Sequence, residues 1–288
     1  MNEPVHSSRQ AGLRVSLVVG SMLRPDFLER LLGSLVVQRT PVHEVIIVEQ
    51  RDISAAASIA ERSALAQTSV VPSDAGLSRA RNVGLSFVNG DVIGFPDDDC
   101  WYDPGTISRV VERFADDPKL GILCGRVMTS DGPMLRYPSR PVDVTRGNVW
   151  HTAVSPGIFV RASCAMKIGQ FDEDLGVGSG SDAGSGEETD FVLRGIALGA
   201  RSVYDPKLTV FHPSPAEVHQ RLSPGVGFRY GVGMGVVLRQ HGYGRIAAAR
   251  AVLRPSVGGV VAALSGRTDL ARFRFSVAKG RRRGLGWH

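Results

Sequence analysis

The chain has 288 residues, 43% hydrophobic and 22% charged, ordinary values for a soluble globular protein with room for one large α/β domain or two small ones. No apolar run approaches the ~20 residues of a membrane span. The start, MNEPVHSSRQAGLR, lacks the apolar core of a signal peptide, so export is not expected. The net charge of +6 hides a division: residues 221–288 carry 13 Lys+Arg against Asp269 alone, whereas residues 1–220 hold 21 basic and 27 acidic side chains. So basic a tail is expected to meet anionic phosphates, of lipid or of nucleic acid.

In chain order, RVSLVVG (14–20) reads as a first strand. A helix follows through RPDFLERLLGSLVVQ, with Asp26 as its cap and Leu28, Leu31, Leu32 and Leu35 at helical spacing. HEVIIVEQ (43–50) is a second strand, TSVVPSD (68–74) a third, and GLSRARNVGLSFVNG carries the next helix. DVIGF (91–95) is the fourth strand. Strands alternating with helices predict a mostly parallel sheet covered on both faces, with ligands beyond the carboxyl ends of its strands. Further on come a helix near 104–115, a strand at 121–128, a proline-punctuated loop through 130–148 and a strand at 157–163. A Gly/Ser-rich loop (172–190) precedes a helix, a turn and a short strand ending in His212-Pro213. The tail is predicted to be helical, with arginines among small and apolar residues, and reads as membrane-surface helices more than as packed core. Cys100, Cys124 and Cys164 are odd in number and lack C-x-x-C spacing, so they are expected reduced, as in a cytosolic protein, with no disulfide and no zinc.

Two acidic clusters carry the chemistry. The fourth strand runs straight into Asp97, Asp98 and Asp99. Residues two apart on an extended segment point the same way, so Asp97 and Asp99 can converge on a divalent cation. The bland alternative is a set of solvated turn residues. Glu187, Glu188 and Asp190 occupy the opening turn of a helix, where the dipole favours acids, and a carboxylate there can also act as general base.

In this order and context the two clusters resemble family 2 glycosyltransferases of the GT-A fold. The likeness runs through VSLVVGSMLRPDFLERLLGSLVVQ, EVIIVEQ, GLSRARNVGL, GDVIGFPDDDCWYDPG and GEETDFVLRGIALGARSVYDPKLTVFHP, about residues 14–213. It implies a Rossmann-like α/β fold with a mixed, mainly parallel sheet and a basic helical extension. Residues 14–100 would form the nucleotide-sugar half, 101–220 the acceptor half and 221–288 the extension. By position, Asp97, Asp99 and His212 would hold Mn²⁺ or Mg²⁺. Gly20, Ser21, Arg24, Glu49, Arg79, Arg81, Asn82, Asp97 and Asp98 would contact the donor, a UDP-sugar first, with GDP- and dTDP-sugars as alternatives. Glu188 would be the base of an inverting transfer, with Glu187 its rival.

Two positions depart from the family pattern. Gly20-Ser21 stands where relatives have Pro-Thr, and Glu49-Gln50 where they have an aspartate pair. The expected activity is sugar transfer to a glycan or lipid-linked acceptor in cell-surface polysaccharide or glycoconjugate synthesis. It would take place in the cytoplasm, peripherally on the inner membrane face, with a homo-oligomer left open. Competing accounts are a nucleotidyltransferase, for which GSMLRP has too few glycines, and a degenerate glycan- or partner-binding module. Nucleic acid is not expected, since the tail lacks the motifs and aromatic interleaving.

Overall fold

The computed structural model describes residues 12–214, 217 and 223–287. Most of the start read above for a leader, and the 220/221 boundary, lie outside those residues. The first half alternates strand and helix: β1 (Val15–Ser21), α1 (Pro25–Val36), β2 (Glu44–Glu49), α2 (Ile53–Arg62), β3 (Thr68–Pro72), α3 (Leu77–Leu85) and β4 (Val92–Gly94). Then come β5 (Trp101–Tyr102), α4 (Thr106–Asp116), β6 (Leu120–Thr129), β7 (Gly132–Pro133), β8 (Val142–Asp143), β9 (Ile158–Arg161) and α5 (Ala162–Ile168). The series ends with α6 (Glu187–Ala197), β10 (Arg201–Phe211), α7 (Pro224–Gln240), α8 (Arg245–Leu264) and α9 (Thr268–Leu285).

The strands form one sheet in the order β3-β2-β1-β4-β9-β6-β10-β5, with β7 on β6 and β8 on β10. It is parallel from β3 to β4, antiparallel on both sides of β9, parallel between β6 and β10, and antiparallel at β5. Alternation along the strands feeds two cores. Val18, Ile46 and Val48 face Ala80 and Phe191, while Leu17, Val19, Val45 and Ile47 face the α1 leucines and Ile107, Val110 and Phe114. Both faces of β1 are buried, which is why it reads as a continuous apolar run. Helix α3 lies so close to the sheet that a Cβ on Gly84 would run into Val18.

Several elements differ from the sequence reading. Arg24, not Asp26, occupies the N-cap of α1; Asp26 lies in the first turn behind Pro25, where its charge suits the dipole. Helix α2 gave too weak an apolar stripe to be read, although Asp52 Oδ1 caps it by accepting from Ala55 N at 3.1 Å. The strand expected to be short, β10, has 11 residues and pairs with β6, β8 and β5.

The tail also departs from expectation. Helices α7 and α9 interlock through glycines: a Cβ on Gly280 would strike Phe228 O, and one on Gly284 would strike Val232 O. That seam is packed core. Helix α8, in contrast, is long and apolar enough by length and composition to cross a membrane, with 22% of its apolar window buried. The arginines punctuating its sequence hid it from a search for a continuous apolar run.

Candidate active site

A cavity of about 630 Å³ opens beyond the carboxyl ends of β1 and β4, where a parallel sheet presents ligands. Its lining includes Gly20, Met22, Leu23, Arg24, Gln50, Arg51, Asp97, Asp98, Asp99, His212 and Tyr230. A parallel bridge from Gly20 to Asp97 carries the sheet one step past β4 and fixes the first aspartate beside β1. Strand β5 follows Asp99 at once and pairs antiparallel with β10, with Trp101 opposite Phe211. That register brings His212, the next residue, back to Asp99: Nε2 lies 3.2 Å from Oδ1. His212 Nδ1 is 2.7 Å from Pro213 O, which orients the ring.

Asp97, Asp99 and His212 each bring one ligand atom within 4.8 Å of the others. Asp99 Oδ1 is buried and, beyond its ion-pair contact with His212, accepts no hydrogen bond among the described residues, which leaves it able to meet a cation. Two carboxylates and an imidazole fit Mn²⁺ or Mg²⁺. Asp98 turns elsewhere, accepting from Met22 N at 3.3 Å and pairing with Arg24. Arg24 Nη1 also donates to Asp99 Oδ2 at 2.5 Å. Burial pushes the Asp97 carboxyl up to about 6 against the pull of the Arg81 guanidinium. Burial also raises Asp98 despite Arg24. Asp99 is held below the usual range, because His212 and then Arg24 outweigh its burial. His212 is raised in turn, its burial outweighed by Asp99.

The second cluster is joined to the first through Arg81. Its side chain, 1% exposed, donates from Nη2 to Asp97 Oδ1 and from Nη1 to Glu187 Oε1, both at 3.1 Å. It also bonds the Ser155 hydroxyl. Glu187 is therefore committed to an ion pair. Its neighbour Glu188 is not: Glu188 Oε2 is buried with no hydrogen bond among the described residues. Burial, reinforced by the charge of Glu187, pushes the Glu188 carboxyl up to about 8. Helix α6, which carries both, starts at Gly186 with φ 98°. Helix α7 braces that start. Gly233 packs on Ser185, Val237 packs on Gly186, and His241 Nε2 lies 2.8 Å from Asp190 Oδ1.

The other expected donor contacts divide. Gly20 and Arg24 line the cavity. Ser21 and Glu49 are buried and hold its rim: Leu23, with φ 52°, donates its N–H to Ser21 Oγ and Glu49 Oε2, each at 3.2 Å. A left-handed leucine is strained, and these two bonds offset the strain. Glu49 Oε1 also accepts from Arg51 N at 2.8 Å, so this carboxylate is spent on the turn. Asn82 is occupied with the 171–173 segment, donating to Phe171 O and Glu173 Oε1 at 3.0 Å. Arg79 forms a surface pair with Glu173 at 3.0 Å. Neither Asn82 nor Arg79 lines the cavity. Sequence reasoning missed Gln50, Arg51 and Tyr230 as lining residues. Gln50 Oε1 accepts from Gly76 N at 2.7 Å and ties β2 to the start of α3.

Residues 16–167, a little over half of the chain, match the family described as Glycosyl transferase family 2. The chain belongs to that family. It is 28% identical over 153 residues to the pre-mycofactocin glycosyltransferase of Mycobacterium tuberculosis, a match covering 49% of this chain and 31% of that protein. Protein CgeD of Bacillus subtilis is 28% identical over 119 residues, 38% of this chain and 28% of the relative. The chain thus spans about a third of the length of these relatives. Among solved structures, the mannosyltransferase PcManGT of Pyrobaculum calidifontis, in complex with GDP-Man and Mn²⁺, superposes with a TM-score of 0.61. That match covers 94% of this chain and 88% of PcManGT at 14% identity. S. aureus TarS gives a TM-score of 0.60 over 91% of this chain and 55% of TarS at 18% identity. These likenesses establish the mixed α/β fold of GT-A glycosyltransferases, helices on both faces of the sheet included.

Proposed function

We propose that this family member transfers a sugar from a nucleotide-diphosphate sugar to a hydroxyl of a glycan or lipid-linked acceptor. The reaction would depend on metal and invert the anomeric centre, and it would serve cell-surface polysaccharide or glycoconjugate synthesis. The observation that carries this reading is the convergence of Asp97, Asp99 and His212 in one cleft, with Asp97 linked through Arg81 to Glu187, the neighbour of Glu188. Residues 14–100 form the donor half, 101–220 the acceptor half and 221–288 a basic extension. The extension holds the protein peripherally on the anionic inner face of the membrane.

In this reading Asp97, Asp99 and His212 hold Mn²⁺ or Mg²⁺. When bound, the cation supplies Lewis-acid stabilisation to the departing diphosphate. Arg24, already among the carboxylates, adds a second positive charge for the phosphates. Gln50 and Arg51 stand at the rim where the nucleotide enters. Arg81 positions Asp97 and Glu187 and neutralises them in part. Glu188, the acid with an unpaired oxygen, is the general base. Its Oε2 takes the proton of the acceptor hydroxyl while that oxygen bonds to the anomeric carbon. The carbon–oxygen bond to the diphosphate breaks on the opposite side, and the leaving group departs with the electron pair.

The test is release of nucleoside diphosphate from UDP-, GDP- and dTDP-sugars, assayed with Mn²⁺ and with chelator, in the presence of candidate acceptors. One donor turned over only with metal is the expected result, a UDP-sugar being the first to try. Turnover unchanged by chelation would remove the metal from the account.

A further inference from the structure

Helix α8 leaves one side of the C-terminal layer uncovered. Its inward residues are small, Ala248, Gly259 and Ala262. Its seam with α9 is fixed by Phe275 against Gly259, by Arg274 Nη1 donating to Gly258 O at 2.7 Å, and by Arg281 Nη1 donating to Ala251 O at 2.6 Å. The opposite side carries Ile246, Leu253, Val257, Val260, Val261 and Leu264, from 50% exposed at Val260 to 84% at Leu264. At helical spacing these six fall on one arc of about 100°. They make a stripe about 27 Å long. Arg250 and Arg254 are exposed on the same side. Residues 223–287 hold twelve Lys+Arg and one acid, Asp269.

From this face we infer an in-plane docking surface for an anionic lipid layer, with α8 lying along the interface. The inference rests on the membrane-surface reading above and assigns it to one helix face. A stripe of large apolar side chains with Arg250 within it and Arg254 at its edge, both long enough to carry their charge out to the headgroups, gains from both parts of such a layer, the acyl boundary and the anionic headgroups. A second copy of the chain fits less well: pairing two such faces would set Arg250 and Arg254 against their counterparts, and α8 contains no acid to answer them. Spanning the bilayer fits less well too. Arg250 and Arg254 stand in the body of the helix, and the α9 it is locked to would carry Arg272, Arg274, Lys279 and Arg281 into hydrocarbon.

The test is flotation of the full chain with phosphatidylserine–phosphatidylcholine vesicles at physiological salt, alongside pure phosphatidylcholine vesicles. Wild type floats with the anionic vesicles, falls away from the neutral ones, and is released by a high-salt wash. Leu253→Asp with Val257→Asp, and separately Arg250→Glu with Arg254→Glu, weaken binding by roughly tenfold or more. All four positions are exposed or nearly so, and an unchanged circular-dichroism melt verifies that the variants fold. Wild type and both double variants floating equally would overturn the assignment to α8 while leaving the membrane reading intact. Wild type failing to float at all would overturn that reading itself. Protein released only by detergent would mean a spanning helix. A dimer dispersed by Leu253→Asp with Val257→Asp, without flotation, would make the occupant a second copy.

Discussion

The cleft and the C-terminal helices place charge in opposite ways. In the cleft, Asp98, Asp99 and Glu187 are buried and answered by two arginines, Arg24 and Arg81, from distant parts of the chain. In the tail most arginines stay at the surface, Arg274 and Arg281 turning in to the α8–α9 seam, while the seam between α7 and α9 is made of glycines with no side chain at all. Buried charge that is nearly balanced suits a site where one more cation and a diphosphate enter. Exposed charge on a thin, tightly joined layer suits a long-range contact whose strength falls with salt. The two regions meet where α7 supports the start of α6.

If the cleft works through Glu188, its loss has the largest effect. Glu188→Gln lowers kcat on the order of 10²–10⁴-fold with donor affinity kept. Glu187→Gln should instead disturb the Arg81 pairing, and the two variants compared in one assay separate base from partner. With the Glu188 carboxyl pushed up to about 8, kcat/KM rises with pH through the neutral range, and Glu188→Gln removes that rise. Stability runs the other way. The folded state keeps this proton above the ordinary 4.5, so unfolding free energy falls as pH rises from 4.5 to about 8, and the variant flattens the slope in denaturant titrations.

Next in size, Arg81→Met leaves buried Glu187 and part-buried Asp97 without the guanidinium they share. Denaturant unfolding should show a loss of about 3–5 kcal/mol, smaller near pH 5, below the value of about 6 to which burial pushes the Asp97 carboxyl. On the tail side, Gly280→Val forces α7 from α9 and should cost about 1–3 kcal/mol. Because α7 braces α6, it should also lower kcat more than donor affinity. A variant with kcat intact would mean the bracing is not transmitted. The smallest effect belongs to Arg79→Ala, two residues from Arg81 on the same helix. It breaks an exposed pair, so less than about 1 kcal/mol and no change in donor binding are expected in the same measurements.

Much of the fold was legible because the buried strands β1, β2 and β4 are apolar runs ending at polar turns. The α1 leucines show their face at once, and all four are buried. The carboxylates at 97 and 99 were legible from strand geometry joined to the family resemblance. What stayed hidden was convergence over long separations. Arg24 reaches Asp99 across 75 positions and Arg81 reaches Glu187 across 106; both arginines were expected at the donor, but no local pattern marks their carboxylate partners. Glu49 was expected at the donor but is consumed by the strained Leu23 turn, which leaves Gln50 and Arg51 facing the cavity. The α7–α9 seam was present as glycines four apart, but those glycines acquire meaning only once a partner helix is in place.

The claim that the cleft binds a metal–nucleotide complex is tested most directly by calorimetric titration of UDP-, GDP- and dTDP-sugars. Each would be run with and without Mn²⁺ on wild type and on Asp99→Ala. The account predicts binding of one nucleotide that requires the metal and disappears in the variant. Binding that ignores Mn²⁺ and survives in Asp99→Ala, or no binding of any nucleotide by the folded protein, would contradict it.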